Sequence, residues 1–255
     1  MKLEILGCCG SIGGPDMRTT SLLLDKDILV DAGTGLGELS IEALAEIDHV
    51  FLTHAHLDHI ACLPLLIDSV AERRQHPITI YAIPEVVATL RAHIFNWSVW
   101  PDFAEVPTAD QPFLRYREIK LFETVELAGR RITPLPVDHT VPAVGYRLDS
   151  GLGSLVFSGD TGPCPALWEA VNAVENLRYL IIECAFPDGE ERLALLSKHL
   201  CPSLLVKELG QLKRMCDIHI THLKPGKMEV TMAEIDRVLG QFKPTMLSDG
   251  QLFEF

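Results

Sequence analysis

The sequence predicts a mixed α/β (α+β) fold of four layers, two β-sheets packed face to face with helices on both outer surfaces (αββα), in one domain over residues 1–255. Three observations predict it. Short apolar runs bounded by Gly, Pro and Asp recur along the chain; each half is rich in strands first and helices afterwards; and the second half repeats the pattern of the first. With 255 residues, 47% of them hydrophobic, the chain is long enough to bury a full core.

Leu3 to Leu6 reads as a strand running into the glycine loop Gly7 to Pro15. No Gly-Lys-Ser/Thr follows that loop, so it is not a Walker motif; it either needs unusual backbone angles or borders a site. Ser21 to Leu24 and Ile28 to Asp31 form a hairpin about Asp25-Lys26-Asp27. Glu38 to Ala45 has helical spacing, His49 to Thr53 is a strand, Ile60 to Val70 is helical after a bend at Pro64, and Ile78 to Ala82 is a strand between prolines. Residues 85–117 change character: Phe95, Trp97, Trp100 and Phe103 stand close together as core, dimer contact or lid. Strands follow at Val125 to Leu127, Arg131 to Val137, Val144 to Leu148 and Leu155 to Phe157. Trp168 to Val174 is helical, Tyr179 to Ile182 a strand, Ser203 to Met215 helical, Asp217 to Thr221 a strand, Thr231 to Leu239 helical and Met246-Leu247 a last short strand.

The chemistry concentrates behind the strand that ends near Thr53. His54-Ala-His56-Leu-Asp58-His59 packs three imidazoles and a carboxylate into six residues, and these are the borderline-hard donors that zinc and similar divalent ions take. In extended backbone His54 and His56 point the same way. Asp58 and His59 turn away as a helix begins, a geometry that suits two metals. Further polar residues stand at later strand ends: His139, Asp160, Glu183 and His222. On this reading His54, His56 and His139 hold one metal, Asp58, His59 and His222 hold the second, and Asp160 spans both, with Gly159 and Gly162 allowing close approach. His219 competes with His222, but it lies within its strand and faces the other way. His199 is the candidate proton donor to a leaving alkoxide, the competing view being a surface histidine. Catalysis then falls to Asp58, Asp160 and His199, with no Ser or Cys nucleophile needed.

Composition excludes several classes. The formal net charge of −13 disfavours polyanionic partners, because nucleic-acid binders carry basic surfaces. A small anionic substrate stays open, since a bound metal dominates the local field. No apolar run approaches a membrane span and the start lacks the features of a signal peptide. The seven cysteines are odd in number with no Cys-x-x-Cys pair, which fits free thiols in a reducing compartment; a cytoplasmic setting is expected. A homodimer through the aromatic stretch is a further expectation.

The glycine loop, Val30-Asp31-Ala-Gly33, the histidine motif, Asp138-His139, Ser158-Gly-Asp160 and Thr221-His222 together resemble the metallo-β-lactamase superfamily over nearly the whole chain. That resemblance implies the αββα fold and a dinuclear site, and His56 at its variable position implies zinc, with Mn2+ or Fe2+ as alternatives. Thr53 to Ile60, Ile94-Phe-Asn-Trp97 with Trp100-Pro-Asp102, Ile182-Glu-Cys-Ala-Phe186, and Lys198-His-Leu200 with Glu208-Leu209 resemble more narrowly the class II cyclic-nucleotide phosphodiesterases. The implied reaction is hydrolysis of 3′,5′-cyclic AMP or GMP to the 5′-nucleotide by metal-activated hydroxide. Cys62 and Pro64 depart from that family, where a small Gly or Ser usually follows the motif. Transfer-RNA 3′-processing endonucleases of the same superfamily resemble the core but carry an RNA-holding arm that has no counterpart here. Other cyclic-phosphate phosphodiesterases and a non-catalytic metal-binding regulator complete the alternatives.

Overall fold

The computed structural model describes residues 1–240 and 242–255. Its first sheet is built from β1 (Lys2–Gly7), β2 (Ser21–Leu24), β3 (Ile28–Val30), β4 (His49–Phe51), β5 (Ile78–Ala82), β6 (Leu114–Glu118) and the C-terminal β14 (Leu252–Glu254), in the order β14-β1-β2-β3-β4-β5-β6. The second sheet contains β7 (Val125–Leu127), β8 (Arg130–Pro136), β9 (Val144–Asp149), β10 (Ser154–Phe157), β11 (Leu177–Glu183), β12 (Asp217–Thr221) and β13 (Thr245–Met246), in the order β13-β12-β11-β10-β9-β8-β7. Each sheet changes from antiparallel to parallel pairing, at β3–β4 in the first and β10–β11 in the second.

The layers follow from alternation. One face of each sheet contributes Leu3, Ile5, Leu22, Phe51, Tyr146, Leu148, Phe157 and Ile181 to a core between the sheets. The opposite face of the first sheet packs against α1 (Ile41–Glu46), α3 (Leu63–Val70) and α4 (Pro84–His93); that of the second packs against α5 (Pro165–Asn172), α7 (Pro202–Leu209) and α8 (Met228–Leu239). The expected four-layer sandwich is therefore observed. Among the described residues no helix is long and apolar enough to cross a membrane.

Several boundaries differ from the expectations. The helix expected over Ile60 to Val70 is two: a single turn α2 (Leu57–Ile60), then α3, in whose first turn Pro64 sits because the missing N–H is not needed there. α7 stops at Leu209, with Gly210 at its end, six residues before the expected Met215. α4 and β6 lie in the stretch that sequence patterning left unassigned, and α6 (Glu191–Ser197) and β14 were not expected. The aromatic stretch divides: Phe95 and Phe103 are buried in the core, whereas Trp97 is 62% exposed.

Contacts between the sheets fix where the histidine motif begins. Phe51 stacks on Tyr81 with ring centres 4.3 Å apart and meets the edge of Tyr146. The Tyr146 hydroxyl donates to the Leu52 carbonyl at 2.7 Å, and the Val144 N–H donates to the Thr53 carbonyl at 3.0 Å. The motif thus leaves the first sheet already bonded to the second.

Candidate metal centre

Beyond β4 the chain bends at Thr53 and runs through His54 and Ala55 to His56, which is the residue before the first turn of α2 and has β-region angles. That turn swings Asp58 and His59 away from His54 and His56. The turn is splinted from below: Ala32 N–H donates to the His59 carbonyl at 2.7 Å, and Cys62 N–H to the Ala32 carbonyl at 2.9 Å. Gly33 lies so close beneath that a Cβ there would stand 2.3 Å from the Asp58 carbonyl oxygen.

The seven residues expected as ligands come together in two groups: His54, His56, His139 and Asp160, and Asp58, His59, His222 and Asp160. Asp160, 2% exposed beyond β10, divides its oxygens between them. Its Oδ2 lies 3.6 Å from His54 Nε2 and 3.9 Å from His139 Nε2. Its Oδ1 lies 3.3 Å from His59 Nε2 and 3.2 Å from His222 Nδ1. Asp58 Oδ2 closes the second group, 3.9 Å from His59 Nε2 and 3.7 Å from His222 Nε2. His56 Nδ1 and His139 Nε2 are 3.2 Å apart in the first.

Hydrogen bonds decide which nitrogens are bare. The Thr53 hydroxyl donates its only proton to Asp31 Oδ2 at 2.8 Å, so His54 Nδ1–H must donate to that hydroxyl, at 3.0 Å, leaving Nε2 as a lone pair. His139 Nδ1–H donates to the Lys198 carbonyl at 3.1 Å, which bares its Nε2, and His59 Nδ1–H donates to Asp31 Oδ2 at 2.7 Å, which turns its Nε2 toward Asp160. His54 Nε2, His59 Nε2 and both ring nitrogens of His222 are buried with no hydrogen-bond partner. Buried nitrogens without partners are costly in a folded protein. Here they surround one carboxylate.

Charge leads to the same place. Asp31, Asp160 and Glu183 are all essentially inaccessible, and among the described residues none forms an ion pair with Lys or Arg. Burial pushes the carboxyls of Asp31 and Glu183 up. Burial opposes charge on Asp160 as well, but the surrounding imidazoles, His222 and His59 foremost, outweigh it and hold its carboxyl well below the usual range. Burial likewise holds His54 and His222 well below the ordinary imidazole value and His139 down to about 4, so these three are neutral near pH 7, the form that ligates metal. Burial also disfavours charge on His59, yet Asp160 and Asp31 on either side raise it well above. Donors of one tetrahedral zinc, each at about 2.0–2.1 Å from the ion, stand about 3.3 Å apart. The 3.2–3.9 Å spacings above fit such an ion with little adjustment. The residues fit divalent metal.

One support was not legible as such. Asp31, read only as part of a resemblance, follows β3 at φ +59° and carries both Thr53 and His59; an acid just past a buried strand was its one signal. His222 follows β12 at φ +62°, its N–H donating to the Cys8 carbonyl at 2.8 Å. Gly10 packs against it, and a Cβ at Gly10 would lie 2.8–2.9 Å from the ring. The glycine loop therefore borders the site. His219 faces away, T-shaped against Phe253 and bonded to Thr245.

His199 lies beside the clusters, its side chain 10% exposed, and is no surface histidine. Its ring stacks on His222 with centres 5.1 Å apart and meets the edge of His139 at 5.0 Å. Its Nδ1–H donates to Glu183 Oε1 at 2.7 Å. Glu183 also accepts from the N–H groups of Thr161, Ala185 and Leu200, which ties the Asp160 loop to the His199 segment. Burial works against charge on His199, but Glu183 raises its pKa above the ordinary value.

A family model for the beta-lactamase superfamily domain matches residues 26–239. A probable 3′,5′-cyclic-nucleotide phosphodiesterase of Yersinia pestis is 28% identical over 205 residues, 71% of this chain and 58% of that protein. A ribonuclease Z of Clostridium kluyveri is 31% identical over 158 residues, 57% of this chain and 48% of that one. The chain thus spans less than two thirds of either relative. The crystal structure of unliganded yeast PDE1 is similar in fold, with a TM-score of 0.84 over 100% of this chain and 99% of that one at 19% identity. The sandwich, the matched span and the paired donor clusters together place the chain in the metallo-β-lactamase superfamily.

Proposed function

We propose that the protein is a metal-dependent phosphodiesterase that hydrolyses 3′,5′-cyclic nucleotides, cyclic AMP or cyclic GMP, to 5′-nucleotides. The observation that carries this reading is the set of buried imidazole nitrogens without hydrogen-bond partners turned toward both oxygens of Asp160. His54, His56 and His139 with Asp160 Oδ2 would hold one divalent ion, and Asp58, His59 and His222 with Oδ1 the other. Zinc is favoured by the imidazole-rich donor set, with Mn2+ or Fe2+ as alternatives. When bound, such a pair lowers the pKa of water toward neutrality and offsets charge on a phosphoryl group in displacement.

The chain's own groups do the rest. His56 and Asp58 are the partly exposed members of the clusters, so substrate and water enter past them. Asp58 there can take the proton of the attacking water. His199, with Nδ1–H committed to Glu183, presents Nε2 to the site and gives a proton to the departing ribose oxygen. Similarity to the probable cyclic-nucleotide phosphodiesterase of Yersinia pestis supports the substrate class. The ribonuclease Z relative favours a second reading, cleavage of precursor transfer RNA, against which the net charge of −13 weighs. A cytoplasmic setting, consistent with seven free cysteines, belongs to the same proposal, as does a small-molecule substrate handled by a homodimer.

Zinc-loaded protein should be assayed side by side on cyclic AMP, cyclic GMP, bis(p-nitrophenyl) phosphate and a precursor transfer RNA. Turnover of the cyclic nucleotides is expected. Cleavage confined to the RNA overturns the reading.

A further inference from the structure

Lys224 stands two residues past His222, where the chain leaves β12. It is half-buried, and its ammonium donates to the Gly10 carbonyl at 2.6 Å. Because Gly10 packs directly on the His222 ring, that bond brings the charge to the second donor cluster. The ammonium also lies 6.0 Å from the centre of the Phe186 ring, which meets the edge of His199 at 5.7 Å. The bond to Gly10 and the aromatic contact set the ammonium against one neighbour of His222 and one neighbour of His199.

The neighbouring lysines are committed elsewhere: Lys198 pairs with Asp138 and Lys227 with Glu190. Lys224 forms no ion pair among the described residues and has one hydrogen-bond acceptor, the Gly10 carbonyl. An ammonium carries three donors, so two remain for whatever enters the site. On a chain of net charge −13, an unpaired cation at the edge of a phosphate-handling centre is suited to hold an incoming anion.

We propose that Lys224 anchors an anionic phosphate oxygen of the substrate beside the second cluster, a substrate-binding role that rests on the phosphodiester reading above. The substrate class it selects is a phosphodiester with a free anionic oxygen; a neutral ester gains nothing from it.

The competing role is a latch that merely holds the glycine loop through Gly10, and the test separates the two. Zinc-loaded wild type, Lys224→Met and Lys224→Arg are compared for metal content, for inorganic phosphate affinity by calorimetry, and for KM and kcat on bis(p-nitrophenyl) phosphate. Lys224→Met is expected to weaken phosphate binding and raise KM by roughly ten- to a hundredfold, the range for a hydrogen bond to a charged group. Metal content should stay at the wild-type level, kcat should fall less than KM rises, and Lys224→Arg should recover most of the affinity. Phosphate affinity that is unchanged in Lys224→Met, or that falls only in step with lost metal, overturns the anchor and leaves a latch. Phosphate binding that depends on Lys224 in a protein that turns over no phosphodiester keeps the anchor and removes the hydrolase reading. Phosphodiester turnover and phosphate binding both indifferent to Lys224 do the reverse.

Discussion

His54, His56 and His139 form a near-regular triangle of rings with centres 4.7–4.9 Å apart, and one corner, His56, is open to solvent. His59 and His222, across Asp160, are wholly enclosed, with Asp58 alone reaching outward. The two groups are also oriented by different chemistry. In the first, His54 and His139 donate to a hydroxyl and a backbone carbonyl, both neutral. In the second, His59 donates to the buried Asp31 carboxylate, and His222 is set by left-handed backbone and pressed by Gly10. A carboxylate acceptor makes an imidazole a stronger ligand and fixes its ring. The difference teaches that the enclosed group should grip an ion more tightly and the open one should exchange it more readily.

The largest test removes what the groups share. Asp160→Ala should abolish turnover and reduce bound metal at both positions, read by elemental analysis alongside rates; retained activity would refute the bridge. Next comes the residue between them. His199→Ala should lower kcat by about 10²–10⁴, the usual worth of a positioned proton donor, with metal content untouched. Loss of metal in that variant would mean His199 is a ligand. Asp31→Asn sharpens the contrast: a chelator-competition titration should show the tighter binding step weakened by about 10–100-fold and the weaker step, which Asp31 reaches only through Thr53, weakened less. Equal weakening of both steps would erase the proposed asymmetry. Gly10→Ala is the mildest. Its methyl group must displace the His222 ring or the loop, so the tighter step should weaken by less than in Asp31→Asn, with the weaker step unmoved.

Much of this arrangement could be read from residues alone, and the reason is chemical. Ligand-type side chains at strand ends stand out from apolar runs, which makes His54 to His59, His139, Asp160 and His222 legible in the sequence. What holds them was harder to see. Asp31 looks like any acid closing a hairpin; its work depends on a positive φ and on Thr53, neither of which has a pattern. Glu183 was visible as a strand-end acid, but its tie to His199 depends on how the loops after β10 and β11 meet. β6 escaped notice because it is an edge strand, Leu-Arg-Tyr-Arg-Glu, with Leu114 alone fully buried. α4 escaped because its buried positions, Val86, Val87 and Leu90, make too narrow a stripe to stand out from a stretch dominated by aromatics.

Asp160 turns one oxygen to each side. The gap between whatever sits on its two flanks is therefore gauged by a single rigid functional group, and not by the slack of separate loops. Movement of the glycine loop or of the turn after β4 would tilt the cradle, whereas a carboxylate shared by both flanks limits how far they can part.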